Sequence, residues 1–367
     1  MNRSIFLYFA IVTILIFGLT GSSCNRTSNG AVTIALTDKF SSLDTLSTTS
    51  PDSAADRLRN LIYSTLVKKN DKFEYVGDLA KDIKIGEDNV TVTFTLQDNV
   101  KFHNGQPFTS ADAKYTLDAL LKAGGYKGKA FMDSKPNPQD DKHPIEEPHI
   151  VSMEVPDAKT LVIKVRRPAL VNQLLSNLVA VPIIPNNTID QQKTAPIGTG
   201  AFKFKSFDQL NNIVELEGFS DYWEGAPKIK NLVVKTITDA NALQSEFQAG
   251  RVDLAPNPTN FSADTFNSMA KNPNIQIVQS NGANIRYIGF NVSNETVKNV
   301  KLRQAIAYAI DREKIVKNVW SGFATVGKDH TVGPMLQYHD NNLKAKAYDP
   351  DKAKFHFKKA GMSGPFE

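Results

Sequence analysis

The sequence predicts an α/β protein with more than one domain, from the order of its apolar patterns and from its length. Residues 232–237 have the composition of a strand, a helix follows from Asp239 to Gly250, and residues 252–254 return as a short strand. Alternation of strand, helix and strand is typical of α/β domains. The chain has 367 residues, 41% of them hydrophobic and 22% charged, which suits a soluble protein built on two or more cores.

Local patterns predict further elements before this unit. Residues 31–36 are rich in β-branched side chains and residues 90–96 alternate apolar with polar, so both segments are predicted strands. Thr109 and Asp112 form a capping-box pattern at the start of a helix. Residues 124–147 are rich in Gly, Lys, Pro and Asp, and we expect them to form a long surface excursion.

The last third of the chain is predicted to be mainly helical. It opens with a predicted strand at residues 285–291 and continues with a helix over residues 301–310. Four apolar residues of that helix are expected to point inward, namely Leu302, Ala305, Ile306 and Ala309. Two more helices are expected, one after Asp311 and one from Asp349 to Ala360.

The first 23 residues have the features of a secretory signal peptide. Residues 5–19 form an uncharged and mostly apolar run, shorter than the roughly 20 residues that span a bilayer. Cys24, the only cysteine, follows a run of small residues, which resembles the lipidated cysteine of a bacterial lipobox. Gly21 stands where that motif normally has Leu, and an ordinary cleaved signal peptide is the alternative. Both interpretations place the body outside the cytoplasm, with residues 24–30 as a short tether.

The charge pattern and the motifs argue against several classes of function. The formal net charge is +5 and no block of five or six like charges occurs, so we expect no nucleic-acid partner. Gly198 and Gly200 form a Gly-x-Gly pattern without the Lys-Ser/Thr that a phosphate-binding loop needs. No nucleophile elbow or zinc-hydrolase motif occurs, so we expect neither catalysis nor a cofactor.

Two groups of side chains are candidates for a ligand or metal site. His143 and His149 lie in an acidic segment and are of the right chemistry for a metal, but their spacing fits no common ligand pattern. A solvated loop without metal is the preferred interpretation. Tyr222 and Trp223 have faces that stack well on a ligand, although such a pair more often packs in a core.

Several short segments together resemble one protein family. They occur in the same order and with similar spacing as motifs of the family-five extracellular solute-binding proteins. The segments are residues 77–82 (GDLAKD), 92–108 (VTFTLQDNVKFHNGQPF), 196–202 (PIGTGAF), 221–228 (DYWEGAPK), 243–253, 289–291, 300–312 (VKLRQAIAYAIDR), 348–354 and 360–361. Each segment alone is a weak signal, and their shared order makes the resemblance specific.

The resemblance implies a periplasmic-binding-protein-like fold with two α/β lobes of class II type. An extra α+β domain is added to the first lobe. In this sequence, residues 31–53 and 180–270 would form the first lobe, residues 54–179 the extra domain, and residues 271–367 part of the second lobe. Members of the family usually continue beyond this point, so we expect the second lobe to be incomplete.

The resemblance also implies a function. Such proteins deliver a solute to the permease and ATPase of an ABC importer. For this chain we expect a monomer, lipid-anchored to the cytoplasmic membrane through Cys24. Short peptides are the expected ligand, held between lobes that close around it. By position, five short polar side chains are candidates for the ligand site: Ser41, Ser42, Thr48, Asn257 and Asn284. Nickel or metal-chelate binding on the same fold, a peptide-sensing receptor and a lipid-anchored hydrolase are the alternatives.

Overall fold

The computed structural model describes residues 30–40, 42–44, 46, 48–140, 145–256, 258, 260–279, 285–327, 339–340 and 342–363. The chain divides into two compact units. Unit 1 contains the described residues up to Val67 together with Gly77–Asn260, and unit 2 contains Lys68–Val76 and the described residues from Phe261 onward.

The first sheet of unit 1 joins the beginning of the fold to strands far along the chain. It contains β1 (Ala31–Leu36), β10 (Phe202–Asp208), β11 (Ile213–Gly218) and β12 (Asn231–Thr236), in the order β1-β12-β11-β10. β1 and β12 are parallel, and the other two pairs are antiparallel. Helix α5 (Ala240–Gln248) follows β12, and residue Leu254 then forms a parallel bridge with Ile34. The predicted strand–helix–strand unit is therefore present, with its last strand reduced to one bridge.

The second sheet of unit 1 is antiparallel throughout. It contains β4 (Ala80–Ile85), β5 (Thr91–Leu96), β8 (Ile150–Asp157) and β9 (Thr160–Val165), in the order β4-β5-β9-β8. The alternation predicted for β5 is confirmed, because Val92, Phe94 and Leu96 are fully buried. These side chains stand on one face of the strand, as the period of two requires.

Four helices of unit 1 belong to the segment that precedes β10. They are α1 (Ser53–Ile62), α2 (Ser110–Ala123), α3 (Tyr126–Lys129) and α4 (Ala169–Leu178), and a short 3-10 helix follows at Gln191–Lys193. The capping box at the start of α2 is present, since the Thr109 N–H donates to Asp112 Oδ2 at 2.9 Å. The other oxygen of Asp112 accepts from the Asn186 N–H at 2.9 Å, which ties the helix to a distant segment.

The region expected to be a surface excursion is mostly exposed among its described residues, but it contains regular structure that was not predicted. After α3 the chain forms a hairpin of β6 (Met132–Lys135) and β7 (Ile145–Pro148). Phe131 is 1% exposed. Gly128 lets α3 approach α2, because a Cβ there would lie 2.6 Å from the carbonyl oxygen of Leu120. Composition alone indicated a loop, and this close packing against α2 overrode it.

Strands β2 (Val67–Lys69) and β3 (Tyr75–Gly77) form a hairpin, of which Lys68–Val76 belongs to unit 2. Unit 2 also contains five helices among the described residues. The helices are α6 (Ala263–Met269), α7 (Glu295–Lys298), α8 (Val300–Ala309), α9 (Arg312–Asn318) and α10 (Pro350–Lys359). α8 packs on α10, and Leu302, Ala305 and Ala353 are buried in this pair. Asn299, Asp311 and Asp349 cap α8, α9 and α10, each accepting a backbone N–H.

Two expectations for unit 2 were wrong. Residues 285–291 form no strand, because no described strand lies beside them to complete a ladder. In α8, Leu302 and Ala305 point inward, whereas Ile306 is half-buried and Ala309 is exposed. Fewer residues of α8 are buried than predicted. Among the described elements, only α10 packs extensively against α8. Apolar side chains exposed elsewhere in unit 2 include Val278, Tyr287, Ile288, Val319 and Phe355.

Candidate functional site

Of the five predicted ligand-binding residues, the structure describes two, and both lie in the loop after β1. Ser42 and Thr48 are both half-buried. The Ser42 hydroxyl accepts from the Asp44 N–H at 2.9 Å, which leaves its own proton free to be donated. The Thr48 carbonyl accepts from the Tyr126 N–H at 2.7 Å. The remaining predicted ligand residues, Ser41, Asn257 and Asn284, lie outside the described residues, as does Cys24.

This loop is anchored by its own side chains and by α1. Leu43 and Leu46 are buried, and the Leu46 N–H donates to Asp44 Oδ1 at 3.0 Å. Arg59 of α1 donates from Nη2 to the carbonyl oxygen of Asp44 at 2.5 Å. Asp52 then ends the loop and caps α1, accepting the Ala55 N–H at 2.9 Å. Short polar side chains in this segment are thus held on an ordered backbone.

The position of the loop relative to the sheet is the feature that favours ligand binding. β1 and β12 are parallel, so the loop after β1 leaves the same edge as the segment after β12. Leu254 is bridged in parallel to Ile34, so the residues after it leave that edge too. Ligands of open α/β sheets bind outside the carboxyl ends of the strands. The topology therefore brings the loop with Ser42 and Thr48, and the residues directly after Leu254, to one edge of the first sheet.

The Gly-x-Gly pattern is explained by close packing, which the sequence did not indicate. A Cβ on Gly198 would lie 2.1 Å from the carbonyl oxygen of Ile62, and one on Gly200 would lie 2.6 Å from its carbonyl carbon. The two glycines are thus required where this turn packs against the end of α1. Neither has a positive φ, so close packing and not backbone conformation explains them.

His103 holds the same turn from the other side. Its Nδ1 accepts from the Gly198 N–H at 3.3 Å, and its Nε2 lies 2.9 Å from the Gly200 carbonyl oxygen. The ring packs edge-on against Phe219, with centroids 5.0 Å apart. Burial lowers the pKa of His103 to about 4, so the side chain is neutral at pH 7. These contacts show that His103 stabilises the turn at Gly198 and Gly200.

The aromatic pair is only partly buried. Tyr222 and Trp223 are half-buried, with ring centroids 5.8 Å apart and an edge-on arrangement. The Tyr222 hydroxyl donates to Glu224 at 2.6 Å, and burial is the main cause that raises the pKa of this tyrosine. The preferred interpretation of a packed core is therefore correct only for part of each side chain.

His149 is buried, which corrects the expectation of a solvated loop. It is 4% exposed, and its Nε2 lies 3.1 Å from Asp133 Oδ1. Asp133 also pairs with Arg166 at 3.2 Å and with Arg167 at 3.0 Å. Within the described part of the chain, no group of three or more His, Cys, Asp or Glu side chains is placed to hold a metal. His143 lies outside the described residues.

No helix among the described residues has the length and apolar character needed to cross a membrane.

Comparison with known proteins gives one family and a consistent set of relatives. The family model for bacterial extracellular solute-binding proteins, family 5 Middle, matches residues 74–367. An ABC transporter peptide-binding protein of Brucella ovis is 31% identical over 311 residues, which is 82% of this chain and 54% of that protein. The chain thus spans about half the length of the curated relatives it matches.

Two solved structures cover nine tenths of this chain. The oligopeptide-binding protein AppA from Bacillus subtilis, in complex with a nonapeptide, has a TM-score of 0.69 and is 26% identical; the match covers 90% of this chain and 64% of AppA. NikZ from Campylobacter jejuni, in complex with Ni(L-His), has a TM-score of 0.71 and is 25% identical; the match covers 90% of this chain and 63% of NikZ. These matches confirm the predicted periplasmic-binding-protein-like α/β fold.

Proposed function

Because the chain belongs to the bacterial extracellular solute-binding proteins of family 5, we propose that it is the substrate-binding component of an ABC importer. In this role it captures short peptides outside the cytoplasm and delivers them to the permease and ATPase subunits, without transforming them. The similarity to a nonapeptide-bound oligopeptide-binding protein carries this proposal. Peptide-binding relatives in the curated set support it.

The candidate ligand residues suit a peptide backbone. Ser41, Ser42, Thr48, Asn257 and Asn284 have short side chains with hydroxyl or amide groups, which donate and accept without a fixed charge. An extended peptide held through its main chain gains affinity independent of its sequence, and bridging water accommodates varied side chains. Closure of the lobes around the peptide would trap it, since a ligand shifts the population toward the state that it binds better.

Mass spectrometry of small molecules that co-purify with the protein tests this function. We expect a mixture of short peptides after denaturation of protein purified without added ligand. Titration calorimetry with a pool of di- to pentapeptides then measures the affinity. Absence of co-purified peptides, together with no saturable heat from the peptide pool, would contradict the proposal.

Nickel-chelate binding is the second candidate, favoured by the similarity to Ni(L-His)-bound NikZ. Calorimetry with nickel in the presence of excess histidine separates the two ligands. Saturable binding of the chelate, with no response to the peptide pool, would select this candidate. A peptide-sensing role would give the same binding results as transport, and only uptake measurements in cells distinguish those two.

The placement in the cell belongs to the same proposal. The family is extracellular, and Cys24 after an apolar run is the proposed site of a diacylglycerol anchor on the cytoplasmic membrane. We propose that the protein is a monomer, since one chain suffices to enclose a peptide in this mechanism.

A further inference from the structure

A cavity of about 170 Å³ lies within unit 1, between α1, α3 and residues 179–182. One water needs about 10–15 Å³ of such volume, so the cavity has room for several waters or a small solute. Its walls include Asp56, Arg59, Asn60 and Lys127. Ser42 and Thr48, which are proposed to bind the peptide, do not line this cavity. The cavity is therefore a separate feature of the same unit.

Two cationic side chains of this cavity are buried. Lys127 is 7% exposed and Arg59 is 4% exposed. Lysine and arginine are rarely buried to this extent unless their charge is compensated. Both cations use one oxygen atom, because Asp56 Oδ1 accepts from Lys127 Nζ at 3.2 Å and from Arg59 Nη1 at 2.7 Å. The Asp56 side chain is 46% exposed, so water weakens its pull on the two buried charges.

Several donors of these two cations remain available. The Nε of Arg59 is buried and has no acceptor in the part of the chain that the structure describes. Nη2 of the same residue donates to a neutral main-chain oxygen, that of Asp44. Lys127 carries three N–H donors, and Asp56 Oδ1 is its one hydrogen-bond acceptor among the described residues. Buried donors of this kind normally have a partner, so an acceptor bound in the cavity would satisfy them.

The balance of charge at Lys127 indicates what kind of acceptor fits. Burial lowers the pKa of Lys127, and the neighbouring positive charge of Arg59 lowers it too; together they outweigh the opposing attraction of Asp56 and the weaker attraction of Asp44. The two carboxylates thus stabilise the ammonium less than water would. A further negative charge beside Lys127 would correct this deficit, whereas a neutral solute would not.

We propose that this cavity is a binding site for a small oxyanion, such as phosphate or a short-chain carboxylate, with Lys127 and Arg59 as its main donors. Asn60, which lines the cavity and is exposed, supplies a further amide donor at its mouth. Ser42 and Thr48 do not line this cavity, although Arg59 also donates to Asp44 in the loop that carries them.

Thermal unfolding and calorimetry of the full chain test the site. Sodium phosphate and sodium acetate are titrated separately against sodium chloride at constant ionic strength and pH 7. We expect a saturable rise in Tm with at least one oxyanion, for the wild type and for Lys129→Gln, the matched control on an exposed lysine of the same helix. Lys127→Gln should bind at least tenfold more weakly. Equal affinity of Lys127→Gln, or no saturable response of the wild type, would overturn the proposal.

Chemical labelling gives a result that does not depend on how the variant folds. The wild-type protein is acylated with an amine-reactive ester, with and without the oxyanion, and the modified lysines are quantified by mass spectrometry. We expect the oxyanion to slow labelling of Lys127 several-fold while Lys129 is unaffected. If both lysines change equally, or neither changes, the cavity contains water only.

Discussion

The backbone N–H of Gly198 donates to Nδ1 of His103 at 3.3 Å, so this ring nitrogen is an acceptor and the imidazole is neutral. A proton on Nδ1 would oppose the Gly198 N–H and break the contact. The pKa of His103 in the folded protein is about 4, against 6.5 for an ordinary histidine. Between these two values the unfolded chain binds more protons than the folded one, so stability rises with pH across that window.

The first prediction concerns this window. The free energy of unfolding should fall by about 2–3 kcal/mol from His103 as the pH decreases from 7 to 4. His103→Gln retains a donor and an acceptor and does not titrate, so its unfolding free energy should depend less on pH. Urea unfolding of both proteins at several pH values measures the difference. Identical pH dependence would show that His103 is not the responsible group.

The second prediction concerns the space beside the glycine turn. Gly198→Ala would place a Cβ 2.1 Å from the Ile62 carbonyl oxygen, so the turn must move away from α1. We expect a loss of about 1–3 kcal/mol, as for other overpacked sites. Gly289→Ala is the matched control, because its nearest neighbour would be 3.7 Å away. Equal thermal stability of the two variants would contradict the packing argument.

The third prediction concerns helix α8. Leu302 is 2% exposed and Ile306 is half-buried, so Leu302→Ala should cost about 2–5 kcal/mol. Ile306→Ala should cost less, because more of its surface already faces solvent. Urea unfolding followed by circular dichroism gives both values. A larger loss at Ile306 than at Leu302 would reverse the burial order of this helix.

The fourth prediction concerns Cys24. If Cys24 carries the lipid anchor, Cys24→Ser should move the protein from the membrane fraction to the soluble fraction after cell lysis. Ser22→Ala, two residues earlier, is the control and should remain with the membrane. Immunoblotting of the two fractions measures the distribution. A Cys24→Ser protein that is processed normally and still sediments with the membrane would exclude lipidation at this residue.

Local patterns in the sequence were sufficient for the elements of unit 1 that depend on neighbouring residues. The alternation of Val92, Phe94 and Leu96 and the capping box of Thr109 with Asp112 were both predicted and are both present. In contrast, the reason for Gly198 could not be read from its neighbours, because the group that it approaches belongs to Ile62. The partners of His149 and Lys127 also lie outside their local sequence, 16 and 71 residues away.

The candidate ligand site was predictable only as a topological position. The loop after β1 was expected to face the ligand, and the parallel pairing of β1 with β12 gives a physical reason for that position. The cavity beside Lys127 was not predicted, since it is lined by α1, α3 and residues 179–182, which no motif connects. The predicted strand at residues 285–291 failed for a related reason, because a strand exists only beside a partner.

The parallel pairing of β1 with β12 also determines the order in which unit 1 can be completed. Ala31 is paired with Asn231, so β1 leaves the ribosome long before its neighbour is available. Until then its β-branched side chains and open edge are exposed to other chains, a situation that favours aggregation. The antiparallel sheet of β4, β5, β8 and β9 involves only Ala80 to Val165 and can form earlier. Folding would then begin in this antiparallel sheet, and β1, the first strand in the sequence, would be the last to pair.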